Sequence, residues 1–189
     1  MTEHDQLIEL LASRSARHGQ FTLASGKVSS LYIDARLTTM SPDGLALVGP
    51  LALAALERSG WNVDSVGGLT LGADPISYAI GYASAVAGRP IRTFTVRKEP
   101  KTHGMARLIE GPFRAGDRVA IIEDVITSGN SALRAAHAVR DSGGLVAGVL
   151  ALVDREEGGR EAIQNAGVAV ISLVTAQQIT ARMQDQPTD

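Results

Sequence analysis

Apolar residues in this chain recur in blocks whose spacing switches between the helical and the extended period. Leu7, Ile8, Leu10 and Leu11 lie on one face of a helix over residues 5–16, which is expected to end near His18-Gly19. FTLASGKVSSLYID holds two short alternating runs around Ser25-Gly26-Lys27 and reads as a hairpin. Ser41-Pro42-Asp43 carries a cap and an N-terminal proline, and opens a helix running to about Ser59-Gly60. The rest alternates. Strands are expected at 63–67, 91–96, 118–122, 145–153 and 168–173, with helices at 75–87, 131–141 and 161–166. Strands separated by helices imply an α/β fold whose mostly parallel sheet is flanked by helices. Ligands of such sheets sit beyond the carboxyl ends of the strands. The loops after residues 67, 96, 122 and 153 therefore matter most. One of them, KEPKTHGMARLIEG at 98–111, is long and poor in apolar residues, as functional loops often are.

Composition narrows the chemistry. The length of 189 residues suits one domain over 1–189, large enough to bury a core. There is no cysteine, which excludes disulfides, cysteine-ligated zinc and thiol catalysis and agrees with a reducing cytoplasm. A net charge of −2 argues against nucleic acid as the main partner. The opening MTEHDQLIEL has acids where a secretory signal needs basic residues, and no apolar run approaches membrane-spanning length. A cytoplasmic protein without a membrane or nucleic-acid partner is expected. His4, His18 and His137 are scattered without metal-ligand spacing, and Trp61 reads as core or edge packing.

The segment RVAIIEDVITSGNSALRAA carries the strongest chemical signal. An apolar strand ends in Glu123-Asp124, expected at a solvent-facing strand end. Thr127-Ser128-Gly129-Asn130-Ser131 then leads into a helix with Ala132, Ala135, Ala136 and Val139 on one face. A small-residue loop at a helix N-terminus is an anion site, because its N–H groups point outward and the helix dipole favours negative charge. Gly129 allows close approach, while Thr127 and Ser131 add hydroxyls. Neither the Walker pattern nor the dinucleotide glycine pattern is present. Two acids beside a phosphate cradle suit a phosphate carried on a sugar whose hydroxyls need acceptors, or a nearby Mg²⁺. An ordinary Ser/Gly-rich helix cap beside exposed acids would look similar.

Glu123-Asp124-Val125-Ile126-Thr127-Ser128-Gly129-Asn130-Ser131 resembles the signature of type I phosphoribosyltransferases, which bind phosphoribosyl pyrophosphate. The resemblance gives Glu123 and Asp124 the ribose hydroxyls and Thr127, Ser128, Gly129, Asn130 and Ser131 the phosphate, with Val125 and Ile126 counted among the phosphoribosyl pyrophosphate contacts. Three further blocks resemble the orotate phosphoribosyltransferases. They are Phe21 to Asp34; the basic loop with Arg97, Lys98, Lys101, His103 and Ile109-Glu110-Gly111; and Val153-Asp154-Arg155. That family implies transfer of ribose 5-phosphate from phosphoribosyl pyrophosphate to orotate, giving orotidine 5′-phosphate and pyrophosphate in pyrimidine (UMP) biosynthesis. It implies Lys101, His103 and Asp124 as catalytic residues, with Arg97 and Lys98 assisting at the pyrophosphate. Thr127, Arg155 and more weakly Lys27 become orotate contacts. It also implies Mg²⁺ as cofactor, held mainly by pyrophosphate and ribose oxygens rather than by protein ligands. A homodimer with shared active sites and a small hood formed by residues 1–40 complete the picture. Two of the chain's three lysines, Lys98 and Lys101, fall in the basic loop, although the whole chain has 15 arginines. Two family lysines are replaced, by Ala24 and by Leu71, which leaves the pyrophosphate contacts to other groups. The rival readings are a purine or uracil enzyme of the same superfamily and a non-catalytic sensor of phosphoribosyl pyrophosphate. The KTHG loop and Arg155 speak against the first, and the intact basic loop against the second.

Overall fold

The computed structural model describes residues 1–22, 28–99 and 108–184, with side chains described for 1–21, 29–99 and 108–183. Helix α1 (Glu3–Leu10) begins with a capping box, in which Thr2 and Asp5 bond each other's backbone N–H. The helical path widens over Leu11–Ser15 and then stops. Residues 16–19, expected within the end of this helix, instead begin strand β1 (Ala16–Thr22), which pairs antiparallel with β2 (Val28–Ile33). Cross-strand pairing from Ala16–Ile33 to Thr22–Val28 overrides the weak helical pattern there. A single turn, α2 (Arg36–Thr39), leads to α3 (Pro42–Ser59), capped by Ser41 and closed by Gly60 at φ 69°.

The main sheet follows. Its strands are β3 (Ser65–Leu69), β4 (Arg92–Val96), β5 (Ile109–Glu110), β6 (Arg118–Ile126), β7 (Leu145–Asp154) and β8 (Val170–Thr175). Helices α4 (Ala73–Val86), α5 (Asn130–Asp141), α6 (Gly159–Asn165) and α7 (Ala176–Gln184) complete the fold. The strand order is β5-β4-β3-β6-β7-β8, parallel throughout except at the edge strand β5. This is the expected α/β fold with a mostly parallel sheet.

The period-2 rule shows how the sheet builds two cores. On β6, Ala120 and Ile122 join the side packed by α1, α3 and α4, while Val119 and Ile121 join the side packed by α5 and α6. On β7, Leu150 and Leu152 face the first side, Val149 and Ala151 the second. The face of α5 expected from the sequence, Ala132, Ala135, Ala136 and Val139, is buried. Trp61 packs its ring over Gly148, as its place beside a strand suggested. At Gly67 and Gly68 of β3 there is no room for a side chain. A Cβ on Gly68 would lie 2.0 Å from the Ile122 carbonyl oxygen, and one on Gly67 2.3 Å from that of Phe94. The loops after β3, β4, β6 and β7 thus open at one edge of a closely packed sheet.

Candidate active site

Strand β6 runs on through the acid pair to Ile126 rather than ending at Ile122, because Glu123, Val125 and Ile126 stay in register with Ala151, Val153 and Asp154 of β7. The acids are therefore not at a solvent-facing end. Both are half-buried, which corrects the exposed placement expected from the sequence. Asp124 Oδ1 accepts from the Val125 N–H at 2.9 Å. Burial raises the Asp124 carboxyl above its usual range. Glu123 goes further. Burial first, then the neighbouring Asp124 charge, push its carboxyl up to about 8. Its Oε2 is buried and has no hydrogen-bond partner among the described residues. A buried acceptor without a donor is costly in an empty protein and well suited to a ligand hydroxyl.

Beyond β6, Thr127 and Ser128 lead to Gly129, the cap of α5, at φ 79°. A Cβ there would sit 2.7 Å from the Gly159 carbonyl oxygen and 2.9 Å from Ile163 Cγ1. Positive φ and contact with α6 both require glycine here, in addition to any approach by phosphate. No side chain caps α5, so its N-terminal N–H groups stay available to an anion. Val125 to Ser131, with Glu123, line a small concavity of about 20 Å³ at this point. Ile126 is buried in the core, so only its backbone can serve a ligand.

The loop after β3 reaches the same place. Gly72 lies against Asp124, and a Cβ on it would be 2.1 Å from Asp124 Oδ2. Thr70 donates its N–H to the Val96 carbonyl at 2.8 Å, and the Thr70–Leu71 peptide is cis. The N–H groups of Leu71 and Gly72 make no hydrogen bond among the described residues. They stand where a family lysine is replaced by Leu71, and they supply donors beside the acid pair.

Arg155 follows β7 and is only 6% exposed. Its Nη2 donates to Ser29 Oγ and to the Leu31 carbonyl, both at 2.8 Å, and to Glu157 at 2.7 Å. Its Nε is buried without a partner among the described residues. The arginine ties β2 to the carboxyl end of the sheet. Arg97 faces Glu110 at 3.6 Å, and the Lys98 carbonyl accepts from Arg134. Lys27, Lys101 and His103 lie outside the described residues. The structure thus gathers Glu123, Asp124, residues 125–131 and Arg155 around the same sheet edge, with Arg97 and Lys98 at the end of β4.

The unbonded Leu71 and Gly72 N–H groups are the backbone donors around Thr70 to Gly72 that the sequence offered in place of the lysine at Leu71. Sequence reasoning missed an apolar surface on α4. There Tyr78, Tyr82 and Val86 are 53%, 76% and 71% exposed, while Ile76 and Ile80 are buried. The signal was present: apolar residues at i, i+4 and i+8 repeat on a second face of the helix.

No protein-family model matches the chain. Full-length relatives do. It is 48% identical over 176 residues to orotate phosphoribosyltransferase of Aquifex aeolicus, covering 92% of this chain and 95% of the relative. It is 47% identical over 172 residues to that of Mycobacterium avium, covering 91% and 93%. The fold superposes on Mycobacterium tuberculosis orotate phosphoribosyltransferase with a TM-score of 0.82 at 44% identity, covering 94% of this chain and 99% of the other. A further structure of the M. tuberculosis enzyme, in complex with 5-phospho-α-D-ribosyl 1-diphosphate, gives a TM-score of 0.78 at 40% identity and 95% and 99% coverage. With its sheet order, its acid pair and these relatives in agreement, the chain belongs to the orotate phosphoribosyltransferase family.

Proposed function

We propose that this protein is a pentosyltransferase that joins orotate to the ribose 5-phosphate of phosphoribosyl pyrophosphate, releasing pyrophosphate and making orotidine 5′-phosphate for UMP. The observation that carries this reading is the acid pair held beside an uncapped helix N-terminus, with an unpartnered buried carboxylate oxygen on Glu123. A ring nitrogen of orotate attacks the anomeric carbon as pyrophosphate leaves. No protein nucleophile is required, so the protein acts by positioning and by charge. Glu123 and Asp124 accept the ribose hydroxyls. Thr127 to Ser131 hold the 5-phosphate through N–H and hydroxyl donors. The Leu71 and Gly72 N–H groups, with Arg97, Lys98, Lys101 and His103, take the pyrophosphate. Arg155 and Thr127 face the base, and Lys27 is a weaker candidate there.

Mg²⁺ fits the donor set as a guest of the substrate. Among the described residues no three His, Cys, Asp or Glu groups cluster as a metal site, so the ion would take most of its ligands from pyrophosphate and ribose oxygens, near Asp124 and Glu123. When bound, it neutralises charge on the leaving group.

A homodimer is part of the proposal. Between α3 and α4 runs a largely apolar groove of about 880 Å³, lined by residues including Leu45, Pro50, Tyr78, Tyr82 and Val86. A second copy of this face would cover it, and a C₂ arrangement would let the basic loop of one subunit reach its neighbour's site. The cytoplasm suits a chain without cysteine, and no described helix is long and apolar enough to cross a membrane.

The test mixes protein, orotate, phosphoribosyl pyrophosphate and Mg²⁺ and follows orotate loss by ultraviolet absorbance, with sizing in parallel. Rapid loss and a dimer are expected. Tyr82→Glu should shift the sizing to monomer. Loss of a purine or uracil instead of orotate would move the enzyme to another branch of the superfamily, and turnover of no base would leave a sensor.

Glu123 adds a pH prediction. The folded pKa of about 8 lies above the ordinary carboxylate value, so the empty fold holds an extra proton between them. Its stability therefore falls as pH rises from the carboxylate range through about 8. Ribose hydroxyls donate to the ionised form, so sugar binding at pH 7 should expel that proton. Calorimetric titration with phosphoribosyl pyrophosphate in buffers of different ionisation heat should show proton release at pH 7. The release should shrink well above pH 8 and in Glu123→Gln. Equal release in wild type and Glu123→Gln would assign the proton to another group.

A further inference from the structure

We infer that Asp74 and Thr95 are positioning residues for the pyrophosphate half of the substrate, acting by fixing the Thr70–Gly72 loop. The inference rests on the assignment of that loop to pyrophosphate. Asp74 stands in the first turn of α4 and is 8% exposed. Each of its oxygens accepts a hydroxyl from a different segment. Thr70 Oγ1 donates to Oδ2 at 2.6 Å, and Thr95 Oγ1 donates to Oδ1 at 2.8 Å. Thr95 lies on β4, and its hydroxyl also meets Tyr78 OH at 2.9 Å. The next residue of β4, Val96, accepts the Thr70 N–H at 2.8 Å. The loop is thus held at Thr70 by its main chain to β4, and by its side chain to a carboxylate that β4 also holds.

A simple helix-dipole role for Asp74 would need none of these partners, since a carboxylate in a first turn is favoured wherever it points. Ligation of a cation by Asp74 is disfavoured for the converse reason, because both oxygens already accept hydroxyls. What the arrangement does control is the aim of the next two N–H groups. Leu71 and Gly72 follow Thr70 directly, their N–H groups are unbonded among the described residues, and Gly72 abuts Asp124. Releasing the Thr70 side chain from Asp74 would free the main chain of the loop to turn, and with it both donors. In a site where the family lysine is absent, backbone donors take over its task only when they are held still, because misaimed hydrogen bonds weaken steeply.

The experiment compares wild type, Asp74→Asn, Thr95→Val, Thr95→Ser and Gly72→Ala in both reaction directions, with thermal melts of each. Asp74→Asn and Thr95→Val should raise the KM for phosphoribosyl pyrophosphate and for pyrophosphate about tenfold, with the orotate KM within about twofold of wild type. Thr95→Ser keeps the hydroxyl and should restore wild-type values. Equal changes in all KM values, or a Thr95→Ser enzyme as impaired as Thr95→Val, would reduce the pair to a structural role. Gly72→Ala alters the loop directly; because its Cβ also displaces Asp124 Oδ2, its effect is read as the pyrophosphate KM relative to that of orotidine 5′-phosphate in the reverse direction. If Gly72→Ala raises that ratio while Asp74→Asn and Thr95→Val do not, the loop binds pyrophosphate but the positioning role is wrong. If none of the three moves it, the assignment of the loop itself fails.

Discussion

Asp124→Asn will fold, and it will turn over about a hundredfold more slowly than the parent, on the scale of losing one preorganised charge contact in an active site. The two effects run in opposite directions because of where the residue sits. In the empty protein Asp124 is half-buried and abuts Gly72, and burial raises its carboxyl. Its charge is therefore held in the fold at a cost, most of which asparagine removes. The amide oxygen can still accept the Val125 N–H that Oδ1 accepts now. Stability should hold or rise slightly at neutral pH. In the transition state the balance reverses. Positive charge grows on the sugar, and a carboxylate beside its hydroxyls stabilises that charge more than it stabilises the ground state. An amide supplies a donor where a second acceptor is wanted. Steady-state kinetics and thermal melts on the same preparations check both halves. A destabilised variant whose folded fraction keeps full specific activity would make Asp124 a structural residue.

Much of this site was legible in the sequence because its parts are local. The phosphate loop needs only a strand, a few small residues and a helix start, all within residues 119–139. The alternation of apolar blocks likewise marked helices α1, α3, α4, α5 and α6 and strands β3, β4, β6, β7 and β8, with boundaries off by a few residues. What stayed hidden has physical reasons. Strand β6 passes through Glu123 and Asp124 because main-chain pairing with β7 is indifferent to side-chain polarity, and the apolar pattern stops at Ile122. Strand β5 and helix α2 span two and four residues, too few to show a period. Helix α7 buries Ala176 and Ile179 but is otherwise mostly polar, so its stripe is thin. The Asp74 network joins residues 70, 74, 78 and 95, which only the β3–β4 register brings together. The burial of Arg155 depends on Ser29 and Leu31, more than a hundred positions away in the chain.

Arg155→Ala should raise the orotate KM by about one to two orders of magnitude, equivalent to roughly 1.5–3 kcal/mol for a hydrogen bond to a charged group. The KM for phosphoribosyl pyrophosphate should change much less. The argument begins with what Arg155 already does. Its Nη2 serves Ser29, Leu31 and Glu157, while its Nε is buried and unpaired among the described residues. The guanidinium is thus anchored on one nitrogen and keeps donor capacity for a planar anion such as a pyrimidine carboxylate. Removing it deletes both the anchor and the donor, so some loss of stability is expected beside the loss of affinity. Two companions separate these effects. Ser29→Ala removes one anchoring bond and leaves the charge, and should lower the melting temperature slightly with little change in the orotate KM. Arg155→Lys keeps a cation but has one nitrogen where a fork is needed, and should recover stability better than it recovers orotate affinity. If Arg155→Ala raises both substrates' KM values equally, or if Arg155→Lys restores orotate binding in full, the arginine is a clamp on β2 and the base is recognised elsewhere.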